Sequence, residues 1–169
     1  AAYNTLGAIA IQGVRQADLR LGETCVVIGL GLLGQLTCMI LKASGINVLG
    51  IDVLNEPVQQ AINNSIVDEA YTRDTPGVEE KIKAATSGNG SDAVIIAAAT
   101  SSNDPINFSG AIARKKGKVV ILGAVPTGFD RNPYWYRKEL ELKMSCSYGP
   151  GRYDIDYEEK GIDYPYAYV

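Results

Sequence analysis

The stretch Gly22–Thr37, GETCVVIGLGLLGQLT, decides the fold of this chain. Its apolar part, Thr24–Leu30, is typical of a strand that is buried on both faces of a sheet. The glycines that follow have the spacing GxGxxG: Gly29, Gly31 and Gly34. Helical periodicity begins directly after them, over residues 32–44. The stretch therefore predicts a strand, a tight turn and a helix that begins at the turn.

The same alternation of short β-branched runs and helical stretches continues along the chain. A leading helix is expected over about residues 4–19. Further strands are expected at Asn47–Val53, near Glu69–Tyr71, and at Asp92–Ala98, Lys118–Leu122 and Leu140–Ser147. Further helices are expected at residues 55–65, 76–86 and 104–115. Strands that alternate with helices predict an α/β fold with a parallel sheet and helices on both faces.

The composition restricts the classes of partner. The chain has 169 residues, is 46% hydrophobic and carries a net charge of −3. Nucleic acid and anionic membranes need a basic face, and a membrane helix needs about 20 apolar residues in a row, which the sequence lacks. We expect no nucleic acid and no membrane as partners, and a cytoplasmic location.

Metal ligands are scarce in the sequence. Histidine is absent, which excludes a His-based catalytic triad and a His metal site in this chain. Cys25, Cys38 and Cys146 fit no zinc spacing. We expect all three to be small buried residues in a reducing compartment, and we expect no zinc in this chain.

The glycine loop is predicted to hold the pyrophosphate of a dinucleotide. The first glycine permits the tight turn, the second lets the backbone approach the phosphates, and the third lets helix and strand pack closely. The amides of Leu32 and Leu33 then face the phosphates from the helix N-terminus. The alternative is a glycine-rich turn that binds nothing.

Asp52 ends the second predicted strand, 18 residues after Gly34. A carboxylate there can accept hydrogen bonds from the adenosine ribose, and it repels a 2′-phosphate. Residues 53–57 supply no Arg or Lys to receive such a phosphate. The sequence therefore favours NAD over NADP, although Asp52 could also serve only as a loop residue or a helix cap.

Two other strand ends are expected beside the same crevice, because ligands of open α/β sheets bind at the carboxyl ends of the strands. Small residues there leave room for a nucleotide, with Ala124 and its neighbours on the nicotinamide side. They equally suit a turn that leaves a strand. The candidate lining residues are Ala99, Thr100, Gly123, Ala124 and Val125.

Four segments together resemble one known family. They are the leading helix before LGET (21–24), VVIGLGLLG (26–34), VLGIDV (48–53) and GKVVILGAVP (117–126). They resemble the cofactor-binding domain of the medium-chain dehydrogenase/reductase family, the zinc-type alcohol dehydrogenase-like enzymes, from about Leu6 to Ser147. The resemblance implies a doubly wound Rossmann sheet of six parallel strands, NAD(P) binding and hydride transfer. It also implies a possible homodimer through the last strand, Leu140–Ser147.

The chain departs from this family in its catalytic parts. The family's N-terminal catalytic domain is absent, and the positions near Thr5 and Leu6 cannot supply the Cys or Glu that ligates zinc in some members. No catalytic residue is therefore carried over. We expect residues 1–147 to form an NAD-binding domain that needs the missing catalytic domain as its partner. Alone, the chain is expected to bind cofactor without significant turnover.

Residues 148–169 form a tyrosine-rich segment without helical or strand periodicity. We expect an irregular, extended tail that packs on its own domain or reaches another domain or subunit. It resembles the segment after the last strand in two-part bacterial oxidoreductases that carry a glucose–fructose oxidoreductase-like domain. That resemblance would make the substrate of the full-length protein a sugar derivative.

Two other classes combine a glycine loop with an acidic strand end. Regulatory nucleotide-sensing domains, such as those that gate potassium uptake, lack the long leading helix and usually end before a sixth strand. Methyltransferases that use S-adenosylmethionine normally end their sheet in an antiparallel strand, which this sequence does not predict. A ligand screen that includes ATP and ADP separates the sensing domain from the dehydrogenase.

Overall fold

The computed structural model describes residues 3–164 of the chain. The last part of the predicted tail, residues 165–169, lies outside the described residues, as do residues 1–2. The strands are β1 (Thr24–Ile28), β2 (Asn47–Asp52), β3 (Glu69–Thr72), β4 (Ser91–Ile96), β5 (Ala113–Ile121) and β6 (Glu141–Met144). The helices are α1 (Asn4–Ala17), α2 (Leu32–Ala43), α3 (Asn55–Asn63), α4 (Val78–Ala85), α5 (Asp104–Ile112), α6 (Tyr136–Lys138) and α7 (Ile155–Glu158).

All six strands are parallel and lie in the order β3-β2-β1-β4-β5-β6. The chain runs outward from β1 to one edge and then returns to β4 on the other side. The crevice between the carboxyl ends of β1 and β4 is therefore the switch point at which such sheets bind ligands. This topology confirms the predicted doubly wound α/β Rossmann fold.

Helices cover both faces of the sheet, as predicted. The alternation along β1 is the reason: Cys25 and Val27 belong to one apolar cluster, and Val26 and Ile28 belong to another. The first cluster includes residues of α1, α2 and α3, and the second includes residues of α4 and α5. Because both faces of the central strands are buried, their sequences read as continuous apolar runs.

The boundary between α5 and β5 differs from the prediction. The helix was expected to reach residue 115 and the strand to begin at Lys118, whereas β5 begins at Ala113. Ala113 pairs with Ser91 of β4, and the register shifts before the next pair. The side chain of Arg114 is held by Asp92, with Nε 2.6 Å from Oδ1. These contacts are distant in sequence, so helical periodicity could not reveal them.

Residues 131–138 form helical turns that the sequence analysis did not predict. Trp135 is buried and stacks on Phe129, with ring centroids 4.2 Å apart. Lys138 then reaches back to the C-terminus of α5, where its Nζ donates to the carbonyl oxygens of Gly110, Ala111 and Ala113. The segment thus caps α5 and covers one end of the second cluster.

The tail is not extended throughout its described part. The side chain of Asp154 accepts a hydrogen bond from Asp156 N at 2.8 Å and so caps the short helix α7. Near the start of the tail, a Cβ built on Gly149 would lie 3.1 Å from Gln12 Oε1 of α1. Of the two expectations for the tail, packing on its own domain therefore holds at Gly149.

The cysteine prediction was right for two residues and wrong for the third. Cys25 and Cys38 are fully buried in the first apolar cluster. Cys146 is exposed. It follows β6, which is an edge strand, so the sheet provides no neighbour that would cover it.

Candidate functional site

A cavity of about 380 Å³ opens at the carboxyl ends of the strands, beside the switch point. Its walls come from the segments that follow β1, β2, β3 and β4, because these four ends meet at one edge of the sheet. The polar and turn residues among its lining are Gly29, Asp52, Arg73, Thr100, Ser102 and Asp104.

Two of the three loop glycines are required by the fold itself. Gly29 has a φ of +94°, and a Cβ built on it would lie 2.7 Å from the backbone nitrogen of Ala98. A Cβ on Gly34 would overlap the carbonyl oxygen of Gly29. Both positions therefore need glycine whether or not a ligand is bound.

Gly31 is different, because nothing in the described part of the chain requires a glycine there. Its φ is −66°, and a Cβ built on it would meet no described atom within 4 Å. The residue is exposed at the start of α2. A ligand that approaches the backbone at this point would explain the glycine, as the predicted pyrophosphate does.

The N-terminus of α2 begins directly behind Gly31. The Gly31 carbonyl accepts the first helical hydrogen bond, from Gln35 N at 2.9 Å. The amides of Leu32 and Leu33 precede that bond, so they have no partner within the helix. The Leu32 side chain is exposed and that of Leu33 is half-buried. Their amides, with the positive end of the helix dipole, can receive an anion.

Asp52 lies beside the glycine loop and is tied to it. Its Oδ2 accepts a hydrogen bond from Leu30 N at 2.6 Å, and its Oδ1 accepts one from Leu54 N at 2.9 Å. Each carboxylate oxygen keeps further lone pairs for other donors. Asp52 is half-buried, whereas Val53, which also lines the cavity, is exposed and apolar.

The ends of β4 and β5 are joined to each other by backbone pairing. Ala99 and Ala124 form a parallel bridge, and Thr100 N donates to Ala124 O at 3.0 Å. A Cβ on Gly123 would overlap the carbonyl oxygen of Ala98, so this glycine also serves the fold. Ala99 and Thr100 line the cavity.

The other three candidates near β5 stand outside the cavity lining. Gly123 and Ala124 follow β5 next to the bridge, and Val125 packs partly buried against the second apolar cluster. The structure thus brings Gly29, Asp52, Ala99 and Thr100 together in one cavity.

Arg73 and Asp104 are cavity residues that the sequence analysis missed. Arg73 follows β3, and Asp104 begins α5. They form a two-pronged ion pair: Nε lies 3.0 Å from Oδ2 and Nη2 lies 2.8 Å from Oδ1. The position of Arg73 directly after the third parallel strand could have predicted that it lies at the cavity, because the carboxyl ends of all parallel strands lie at one edge of the sheet.

The described residues fit a dinucleotide but not a zinc ion. Within residues 3–164, no cluster of three Cys, Asp or Glu side chains that could hold a metal is present. The described residues therefore do not fit a zinc site. A dinucleotide fits the loop, because a Cβ on Gly31 would meet open space at the start of a helix whose first amides have no partner within the helix. No helix among residues 3–164 has the length and apolar character needed to cross a membrane.

The known proteins that this chain resembles in sequence and in fold include dehydrogenases. Alcohol dehydrogenase 1 of Emericella nidulans is 29% identical over 164 residues, which are 92% of this chain and 46% of that protein. The 2R,3R-butanediol dehydrogenase of Bacillus subtilis superposes with a TM-score of 0.75 at 24% identity, covering 91% of this chain and 43% of its own. The chain thus spans about half the length of these relatives.

A zinc-binding dehydrogenase of Sinorhizobium meliloti 1021, solved bound to NADP, has the same fold. Its TM-score is 0.73 at 23% identity, and the match covers 85% of this chain and 43% of that one. These comparisons do not support the resemblance of the tail to fused oxidoreductases.

The family model of zinc-binding dehydrogenases matches residues 33–159, from the second residue of α2 into the tail. The match takes in α2, all strands from β2 to β6 and the short helix α7. It covers well over half of the sequence, so this chain belongs to the zinc-binding dehydrogenase family.

Proposed function

We propose that this chain is the NAD(H)-binding domain of an oxidoreductase that transfers hydride to or from an alcohol, a polyol or a sugar. The observation that carries the proposal is Gly31, a glycine that the described chain does not need and that a pyrophosphate would need. Relatives named as alcohol, butanediol and xylulose enzymes support the class of reaction.

Residues of the cavity, of the adjoining N-terminus of α2 and of the segment after β5 are proposed to bind different parts of the cofactor. The amides of Leu32 and Leu33 bind the pyrophosphate, and Asp52 accepts hydrogen bonds from the adenosine ribose. Val53 offers an exposed apolar surface to the adenine. The nicotinamide lies toward Ala124 and, when bound, supplies the hydride chemistry.

NAD is the proposed cofactor, with NADP bound more weakly. The fold does not make this choice, because the Sinorhizobium dehydrogenase of the same fold was solved with NADP. The preference for NAD is instead set at the end of β2, because the Asp52 carboxylate repels a 2′-phosphate at close range.

The reacting groups are proposed to come from another part of the full-length protein. The chain corresponds to about half of its relatives, and no catalytic acid, base or metal ligand is assigned to it. Residues 1–147 act as the cofactor-binding unit, and residues 148–169 follow as the tail. The chain alone is expected to bind NADH with little or no turnover.

A homodimer through Leu140–Ser147 is proposed as the assembly. The β6 strand forms one edge of the sheet, and Met144 on it is 61% exposed. Pairing of two such edges would continue the sheet across the dimer. Sedimentation of the chain at several concentrations tests this: a dimer is expected, and Met144→Lys should weaken it. A monomer at all concentrations would contradict it.

The experiment that tests the cofactor site compares Gly31→Ala with Gly7→Ala. Both glycines have open space for a Cβ, but Gly7 lies in α1, far from the loop in sequence. NADH is titrated into each variant by calorimetry. We expect Gly31→Ala to weaken binding at least roughly tenfold, because the methyl group occupies the space of the phosphates, a loss of about 1.4 kcal/mol.

The control variant Gly7→Ala should bind NADH like the unmodified chain. Equal affinity of Gly31→Ala and the unmodified chain would remove the proposed role of the loop. Binding of ATP or ADP with no binding of NADH would instead favour the regulatory sensing domain, and binding of S-adenosylmethionine would favour a methyltransferase.

A further inference from the structure

An ion pair joins Arg73 and Asp104 at the cavity, and what we infer from it rests on the proposed cofactor site. Among the described residues that line the cavity, Arg73 is the one cation. Its backbone nitrogen donates to the carbonyl oxygen of Asp52 at 2.8 Å. The backbone of Arg73 is therefore held beside the residue that would bind the adenosine ribose, and Arg73 and Asp52 line the same cavity, which a 2′-phosphate of NADP would enter.

The guanidinium of Arg73 is engaged elsewhere. Its Nε and Nη2 both donate to the carboxylate of Asp104, at 3.0 and 2.8 Å. Arginine binds a phosphate through the same bidentate geometry. A 2′-phosphate and the Asp104 carboxylate would therefore compete for the same two donors.

The guanidinium of Arg73 also stacks on the buried ring of Phe108. The Arg73 Cζ lies 4.0 Å from the centroid of this ring, and Phe108 is 2% exposed. Phe108 and Asp104 both belong to α5, so one helix supplies both contacts. Stacking and the ion pair together hold Arg73 more firmly than an isolated surface pair of charges would be held.

We propose that Asp104 is a specificity-determining residue that withholds Arg73 from the 2′-phosphate of NADP. Asp104 acts in two ways: it occupies the Nε and Nη2 edge of the Arg73 guanidinium, and its own charge repels a phosphate at the cavity. Asp52 and Asp104 would then reject NADP from two sides of the same pocket. Removal of the Asp104 charge should convert Arg73 into a phosphate-binding group.

The test uses adenosine 5′-monophosphate and adenosine 2′,5′-bisphosphate, which fill only the adenosine half of the site. Each is titrated by calorimetry into the unmodified chain, Asp104→Asn, Arg73→Gln and the double variant. The measured quantity is the ratio of the affinity for the bisphosphate to the affinity for the monophosphate. Asp104→Asn is expected to raise this ratio roughly tenfold or more, because a charge-assisted pair forms.

The double variant separates this mechanism from a simple loss of negative charge. If Arg73 receives the phosphate, Arg73→Gln in the Asp104→Asn background abolishes the gain. In the unmodified background, Arg73→Gln should change the ratio less than about threefold, since the arginine is already engaged. The control is Asp18→Asn, which removes an equal charge from the ion pair with Lys118, outside the cavity lining. It should leave the ratio unchanged.

An unchanged ratio in Asp104→Asn, or a gain that survives in the double variant, would overturn the inference. If Asp104→Asn does not fold, Asp104→Ser removes the same charge and keeps a short polar residue at the helix start. Failure of the unmodified chain to bind NADH and the monophosphate would contradict the proposed function instead. In that case a gain of bisphosphate binding in Asp104→Asn would support only the phosphate contact of Arg73, and the absence of any gain would overturn that contact as well.

Discussion

The carboxylate of Asp52 accepts a hydrogen bond from the backbone N–H of Leu30 at 2.6 Å, which joins the end of β2 to the glycine loop after β1. The same side chain also receives Leu54 N at 2.9 Å. The proposed ribose-binding residue is thus also a structural residue of the loop. Its replacement affects both binding and local stability, and the two effects need separate measurements.

Asp52→Asn and Asp52→Ala are expected to weaken NADH binding by about tenfold or more. Both variants should also reduce the difference between the affinities for NADH and NADPH. Calorimetric titration of both cofactors measures this. Asp52→Ala also leaves the amides of Leu30 and Leu54 without their acceptor, so urea unfolding should show a loss of about 1–2 kcal/mol. Asp52→Asn keeps an acceptor oxygen and should lose less. Unchanged affinity for both cofactors would refute the ribose assignment.

Gly34→Ala is expected to destabilise the fold far more than Gly31→Ala. The methyl group at residue 34 would overlap the backbone oxygen of Gly29, and neither segment can move away freely. We expect a loss of about 3 kcal/mol or more in the free energy of unfolding, measured by urea denaturation. Gly31→Ala should change it by about 1 kcal/mol or less. Similar losses in the two variants would contradict the division between structural and ligand-facing glycines.

Lys138→Met is expected to destabilise the C-terminus of α5. The Nζ of Lys138 donates to Gly110, Ala111 and Ala113 carbonyl oxygens at 2.9, 2.8 and 2.7 Å. Loss of these charge-assisted bonds should lower the free energy of unfolding by about 2 kcal/mol. The matched control is Lys116→Met, because the Lys116 side chain is 75% exposed. Equal behaviour of the two variants in urea would show that the cap contributes nothing.

The three thiols are expected to differ in reactivity. Burial raises the pKa of Cys38 to about 12 and raises that of Cys25 well above its usual value, whereas Cys146 is exposed. At pH 8 the buried thiols therefore carry almost no thiolate. A disulfide reagent such as Ellman's should titrate one thiol rapidly in the folded chain and three after unfolding. Rapid reaction of a second thiol in the folded chain would mean that the core opens around it.

The sequence predicted the features that depend on neighbours along the chain. The strand, loop and helix around Gly29, Gly31 and Gly34 share one local pattern, and Asp52 follows at a fixed interval. The Arg73–Asp104 pair joins residues 31 apart and depends on how two strand ends lie in space. No periodicity encodes such a contact.

The same reasoning explains the other differences. The early start of β5 at Ala113 depends on a partner in β4, and the helical turns before Lys138 depend on the end of α5. Asp154 did carry a local signal, an Asp three residues or fewer before the helix residues that it caps. Helix α7 has only four residues, which is too short for helical periodicity to show in the sequence.

The approach of Gly149 to Gln12 places the segment after β6 against the middle of α1. The start of α1 at Asn4 lies eight residues before Gln12, about 12 Å along the helix, so a linker of several residues could join it to the segment after β6. Domains with neighbouring ends tolerate circular permutation. The exposed turn at residues 87–89, between α4 and β4, would accept the new ends without cutting a strand or a helix. A circularly permuted chain should therefore keep the same packing of strands and helices, and with it the same cavity.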